Sequence, residues 1–195
     1  MKNFVIFDTE TTGFKPDDGA RLIELALVKM NSEGEILDTW STLINPGSDE
    51  PIHAQEIHHI TPADLIDAPT FKDIYGDIAS FIGNHMLVAH NTPFDISFLK
   101  AESNLAGLLW PDLVLGDTLK AARELLPGLP SYKLGELAKH FEIDFDGHAH
   151  AALADTLVTA KLFSHLLKLR EGLTWPDEYE NFWSHKEKTG LIKSR

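Results

Sequence analysis

Three short segments in a fixed order hold the residue types that could do chemistry. They are Phe7-Asp8-Thr9-Glu10-Thr11-Thr12-Gly13 near the start, His90-Asn91-Thr92-Pro93-Phe94-Asp95 in the middle, and His150-Ala151-Ala152-Leu153-Ala154-Asp155 late. Between them stand the carboxylates of Asp8, Glu10, Asp95 and Asp155 and the imidazole of His150. Four acids brought to one place repel each other unless something positive sits among them, and hard oxygen ligands favour Mg²⁺ or Mn²⁺ over zinc. The spacing therefore points to metal-assisted chemistry on a phosphate.

Each segment also has a purely structural reading. Asp8 and Glu10 are two apart, so an extended backbone puts both side chains on one face. Two acids at the end of an apolar strand cost stability if buried without a partner, and a metal removes that cost. The alternative is a polar strand-to-turn transition closed by Gly13. Thr92-x-x-Asp95 fits a helix capping box, with Pro93 at the first helical position, but Asn91 and the apolar Phe94 beside it favour a supported site. His150 and Asp155 would be roughly 140° apart on a continuous helix, too far for joint ligation. If His150 lies in the loop entering the helix and Asp155 inside it, both can approach one site. His148, seven residues before Asp155, is the competitor on the same helical face, although Gly147 and the Asp-containing loop before it place the helix start near residue 150.

The elements that must position these residues follow from hydrophobic patterning. Asn3–Asp8, Arg21–Met30 and Glu35–Ile44 read as strands, the last two joined as a hairpin through Asn31–Gly34. Phe71, Ile74, Tyr75, Ile78, Phe81 and Ile82 recur at helical spacing behind a Thr70-x-x-Asp73 capping box. Met86–Ala89 is the next strand, Thr92 caps the following helix, and Asp112–Leu115 is a fifth strand. A final helix runs from about Ala151 to Arg170, with Leu153, Leu157, Ala160 and Leu167 among its apolar positions, and residues 126–130 form a loop. The expected architecture is α/β, a mixed five-stranded sheet flanked by helices.

The chain has 195 residues, a formal charge of −13 and no cysteine. That length suits one domain, expected over residues 1–170, with residues 171–195 a C-terminal extension of unassigned role. The charge argues against a broad basic face for nucleic acid but not against a grip on a strand end through metal ions. No Lys or Arg occurs between Lys29 and Lys72, while the tail carries Lys186, Lys188, Lys193 and Arg195. No apolar run approaches the roughly 20 residues of a membrane span, and the first residues lead into a strand rather than a signal peptide. With no thiols, a reducing cytoplasmic location is the expectation.

The three segments resemble the motifs of the DnaQ-like DEDDh exonucleases, to which bacterial proofreading exonucleases belong: Asp-x-Glu-Thr-Thr-Gly, His-Asn-x-x-Phe-Asp and His-x-Ala-x-x-Asp. Flanking pieces agree: Arg21-Leu22-Ile23-Glu24-Leu25-Ala26 with the second strand, Ile57-His58-His59-Ile60-Thr61 with the substrate-side helix and turn, and Ser131-Tyr132-Lys133-Leu134 with the segment before the last motif. The resemblance covers about residues 3–170. It implies an RNase H-like fold and 3′-to-5′ hydrolysis of a strand to 5′-mononucleotides. Asp8, Glu10, Asp95 and Asp155 would hold two Mg²⁺ or Mn²⁺ ions about 4 Å apart, one activating water and one stabilising the leaving oxygen. His150 would be the general base. Thr11, Thr12, Gly13 and His58 would lie against the terminal nucleotide, and Asn91 and Phe94 would support the site. The implied partner is a nucleic acid 3′ end, single-stranded and with DNA favoured over RNA. Ala151 departs from an arginine of many relatives, and Gln55, the only glutamine, precedes a helix. No clamp-binding motif is evident, so a stand-alone or differently recruited nuclease is favoured over a replicative proofreading subunit, though association with a polymerase stays open. A non-catalytic polymerase-bound module is the remaining alternative; all five catalytic residue types are nevertheless present.

Overall fold

The computed structural model describes residues 2–47, 52, 55–144 and 151–170. Its centre is β1 (Asn3–Thr11), which runs antiparallel to β2 (Leu22–Asn31) and parallel to a later strand. The β2–β3 hairpin turns through Gly34, whose φ of 91° suits glycine, into β3 (Ile36–Leu43). Two single-turn helices follow, α1 (Gln55–His58) and α2 (Pro62–Leu65), then α3 (Phe71–Ile82), β4 (Met86–Ala89) and α4 (Thr92–Leu105). The described chain continues with β5 (Leu115–Asp117), α5 (Thr118–Leu125), α6 (Leu134–His140) and α7 (Ala152–Leu169). Strand order is β3-β2-β1-β4-β5, the mixed five-stranded sheet expected.

β1 is apolar residue after residue because both of its faces are covered. Phe4 and Ile6 pack with Val158, Leu162 and Phe163 of α7 and with Leu137 of α6. Val5 and Phe7 pack on the other face with Ile74 and Ile78 of α3 and Phe98 of α4. Phe4 and Phe163 meet edge to face with centroids 4.9 Å apart, and truncating either would cost about 3–5 kcal/mol. The alternation assigns Asp8 and Glu10 to the α7 face and Thr9 to the α4 face.

Most expected elements are present, and three details differ. The fifth strand lies at Leu115–Asp117 rather than Asp112–Leu115, because the ladder with β4 pairs Leu87 with Leu115 and Ala89 with Asp117. Gly116 reads locally as a turn residue, yet a Cβ there would meet the Met86 and Val88 side chains of β4 at 2.7 and 3.0 Å, so the close strand approach favours glycine. The cap of α4 is Asn91, in the left-handed region at φ 73°, and Thr92 is the first helical residue. The Thr92 hydroxyl bonds the Gly116 carbonyl and accepts the Ala89 N–H, tying α4 to both parallel strands instead of capping. On α7, Leu153, Leu157 and Leu167 lie at the margin of the core; the buried positions include Thr156, Thr159, Leu162 and Phe163. Thr156 satisfies its hydroxyl on the Ala152 carbonyl at 2.6 Å, which lets a polar residue face the sheet. Helices α5 and α6 are additions, too short for periodicity to register. Among the described residues no helix is long and apolar enough to cross a membrane.

Candidate active site

Asp8 and Glu10 leave the C-terminal end of β1 on the α7 side, and Asp155 meets them from the first turn of α7. One carboxylate oxygen from each lies within 4.8 Å of the others. Every donor in this group is a carboxylate oxygen, which suits a hard divalent cation and offers zinc neither nitrogen nor sulfur. Asp95 comes from the opposite side. It is buried near the start of α4, and its Oδ1 accepts the Thr9 hydroxyl at 2.7 Å. That bond latches α4 to β1 across 86 residues and replaces the Thr92–Asp95 capping arrangement that the local sequence also allowed.

The charges in this site are mutually unfavourable. Burial, followed by repulsion from Glu24, Asp155 and Asp95, pushes the Glu10 carboxyl up to about 8. Burial, followed by Asp95, Asp155, Glu10 and Glu24, holds Asp8 well above the usual carboxylate range. Asp95 is raised to about 7 by burial, against the lowering effect of its bond from Thr9. Without a counter-ion the pocket retains protons; a bound cation would displace them.

Glu24 belongs to this cluster and escaped the sequence reading as a site residue. It sits directly opposite Glu10 in the β1–β2 ladder, where like charges destabilise. Its side chain accepts the Ala152 N–H at 3.1 Å, satisfying a first-turn donor of α7, and burial raises its carboxyl. The only local signal was an acid within the apolar run of residues 22–28. Asp117 also went unread. It caps α5 by accepting from Leu119 and Lys120 and also takes the Asn91 N–H at 3.2 Å.

The β1–β2 connection is braced from below. The ladder shifts register between Glu10 and Thr11, a bulge that redirects the chain beside the acids. Thr12 is buried, with its N–H on the Arg21 carbonyl at 2.8 Å and its hydroxyl accepting the Arg21 N–H at 2.8 Å. Thr11 bonds the Gly13 carbonyl at 2.7 Å. Arg21 forms a two-pronged pair with the buried Glu102 of α4 at 2.7 and 2.8 Å. His58 is buried at the end of α1, with Nδ1 accepting the Ile60 N–H at 3.1 Å. Phe94 packs its ring 5.2 Å from that of Phe98, and Asn91 is exposed. The structure thus groups Asp8, Glu10 and Asp155, sets Asp95 beside them, and fixes the Thr11–Gly13 turn. His150, its competitor His148 and the extension over residues 171–195 lie outside the described residues.

An exonuclease family profile (RNase_T) matches residues 5–163. The chain is 36% identical over 186 residues to the DNA polymerase III subunit epsilon of Rickettsia prowazekii (strain Madrid E), covering 91% of this chain and 81% of that one. It is 36% identical over 165 residues to the PolC-type DNA polymerase III of Clostridium perfringens (strain 13 / Type A), covering 85% of this chain but 11% of that relative's length. Among solved structures, exonuclease X in complex with 5′ overhanging duplex DNA superposes with a TM-score of 0.70 at 31% identity, covering 88% of this chain and 94% of that one.

Proposed function

From its membership of the DnaQ-like exonuclease family, to which this chain belongs as a 3′-to-5′ exonuclease with an RNase H-like fold, we propose that it shortens single-stranded DNA ends to 5′-mononucleotides by two-metal-ion catalysis. The observation that carries this reading is the convergence of Asp8, Glu10 and Asp155 within 4.8 Å, in a pocket where burial and neighbouring carboxylates raise the carboxyls of Asp8 and Glu10. Asp8, Glu10, Asp95 and Asp155 would hold two Mg²⁺ or Mn²⁺ ions, which when bound supply Lewis-acid stabilisation of the phosphate and of its leaving oxygen.

The chain's own residues do the rest. His150 takes a proton from the attacking water as its oxygen bonds to phosphorus. The bond from phosphorus to the 3′ oxygen breaks, the 3′ oxygen takes up a proton, and the shortened strand keeps a 3′ hydroxyl. The Thr11 and Thr12 hydroxyls are engaged within the turn, so the Thr11–Gly13 backbone, with His58, is the part that meets the terminal nucleotide. Asn91 and Phe94 hold the start of α4 and with it Asp95.

DNA is favoured because similarity extends to a DNA polymerase III subunit and to a nuclease solved on DNA. Association with a polymerase remains part of the proposal, since the subunit match spans most of both chains. The test is hydrolysis of end-labelled single-stranded DNA, duplex DNA and RNA, each with Mg²⁺, Mn²⁺ or EDTA. Stepwise release of mononucleotides from single-stranded DNA is expected with either metal, and none in EDTA. Faster removal from RNA would overturn the sugar preference, and full hydrolysis in EDTA would overturn the metal assignment.

A further inference from the structure

The start of β2 joins the parts proposed to meet the terminal nucleotide to the rest of the fold. Three successive residues do the joining. Arg21 exchanges bonds with Thr12, whose N–H donates to the Arg21 carbonyl at 2.8 Å and whose buried hydroxyl accepts the Arg21 N–H at 2.8 Å. Leu22 pairs with Thr11 in the ladder, and because Glu10 pairs with Glu24, Ile23 is the residue that the bulge skips. Its side chain packs with Ile60 and Leu65, and Ile60 in turn donates its N–H to His58. The Thr11–Gly13 turn and His58 therefore both hang from residues 21–23.

Glu102 clamps two of these residues from α4. Its Oε1 accepts Arg21 Nε at 2.7 Å and the Leu22 N–H at 3.2 Å, while its Oε2 accepts Arg21 Nη2 at 2.8 Å. The Glu102 side chain is 4% exposed and that of Arg21 21%, so the carboxylate is withdrawn from water while the guanidinium keeps one wet edge. A buried ion pair adds little net stability over apolar side chains of the same size. What the fork does add is a fixed direction and distance between the two elements it joins.

Position on α4 gives the clamp its meaning. Glu102 follows Asp95 by seven residues, which on a helix is about 10 Å of rise and only about 20° of rotation. Both carboxylates are buried on that one face, the first held by Thr9 of β1 and the second by Arg21. A single helix face thus spaces a proposed metal ligand from the turn beside the nucleotide. Asp8, Glu10 and Asp155 are carried instead by β1 and α7.

We propose that Arg21 and Glu102 are positioning residues for the 3′-terminal nucleotide: their fork sets the start of β2 on α4 and, through the Thr12 hydroxyl, fixes the backbone of the Thr11–Gly13 turn. The inference rests on the exonuclease reading above and adds what aligns the nucleotide with the acids. Loosening the fork should therefore weaken nucleotide binding and leave metal binding as it was.

The test uses the full chain in Mn²⁺, with 5′-dTMP binding measured by calorimetry and hydrolysis of labelled oligothymidylate measured separately as kcat and KM. Glu102→Gln keeps the size of the side chain but breaks the fork, because an amide has one acceptor oxygen where the carboxylate has two. Thr12→Val leaves the ion pair intact and removes only the hydroxyl that accepts from Arg21; Thr12→Ser restores it. E102Q and T12V are each expected to raise the dTMP Kd and KM about tenfold, with kcat within about threefold of wild type. T12S should bind and turn over like the wild type. The double variant E102Q/T12V should be no weaker than the weaker single one, since both changes act through one turn. The rise in melting temperature on adding Mn²⁺ should persist in all of them. A dTMP Kd and KM equal to wild type in either single variant, whatever its melting temperature, would overturn the proposal, and so would effects that multiply in the double variant. Loss of the Mn²⁺ rise in E102Q would overturn it too, because the pair would then be holding the metal ligands. If dTMP binding follows the expected pattern but the wild type hydrolyses no oligomer, the positioning stands and the exonuclease reading falls.

Discussion

At the scale of single residues, the acids of this site work against the fold that displays them. Replacing Asp8 or Asp155 by alanine removes a proposed metal ligand and also one of several mutually repelling carboxylates. Hydrolysis of labelled single-stranded DNA should therefore be lost, while the melting temperature in EDTA stays level or rises. A variant that unfolded, or one that kept full activity, would reduce these residues to packing and turn formation. Asp95→Ala is expected to differ, since it strands the buried Thr9 hydroxyl and costs about 1–3 kcal/mol along with activity. For the proposed general base, His150→Ala should lower turnover by roughly 100-fold with little change in metal affinity, and His148→Ala should be mild. The reverse pattern in steady-state rates would shift the register of the third motif and remove its histidine from the chemistry.

At the scale of elements, two strands and the helix that crosses them have to meet at one corner, and Glu24 is what ties them there. Glu24→Ala should loosen the first turn of α7, seen as faster amide exchange at Ala152, and lower turnover through Asp155. Glu24→Gln keeps the acceptor and should restore protection; equal exchange in all three proteins would show that the bond does not anchor the helix. This contact marks the limit of what the sequence discloses. The strands and the helices α3, α4 and α7 were legible because their signals are local: apolar runs, the Thr70–Asp73 capping box, Pro93 beside a cap. The carboxylates were legible because their spacing is local within each motif. Glu24 finds its partner 128 residues away, and Asp95 finds Thr9 at a separation of 86, so neither role can be read from neighbours in the chain. The fifth strand was misplaced for a related reason: Gly116 and Asp117 look like turn residues, and only packing against Met86 and capping of α5 explain them.

At the scale of the whole molecule, the buried acids make stability depend on pH and metal together. Glu10 titrates near 4.5 when unfolded and about 8 when folded, and Asp95 rises from 3.8 to about 7. Between these values the native state binds more protons than the unfolded chain, so stability falls as pH rises through that window. His85, His90 and His165 are each lowered from 6.5 by burial, which favours the fold as pH rises, but that contribution is complete once the unfolded histidines have lost their protons. Above about pH 6.5 the carboxylates therefore dominate. In EDTA the melting temperature is expected to decline by several degrees from about pH 6.5 to 8.5. Saturating Mg²⁺ should raise it and remove most of the decline, because a cation bound to the folded acids and not to the unfolded chain takes the place of their protons. A metal-free protein whose melting temperature is flat or rising over that interval would show that the acids ionise freely in the fold. An unchanged melting temperature at saturating Mg²⁺ would show that the corner formed by β1, β2 and α7 does not hold a cation before substrate arrives.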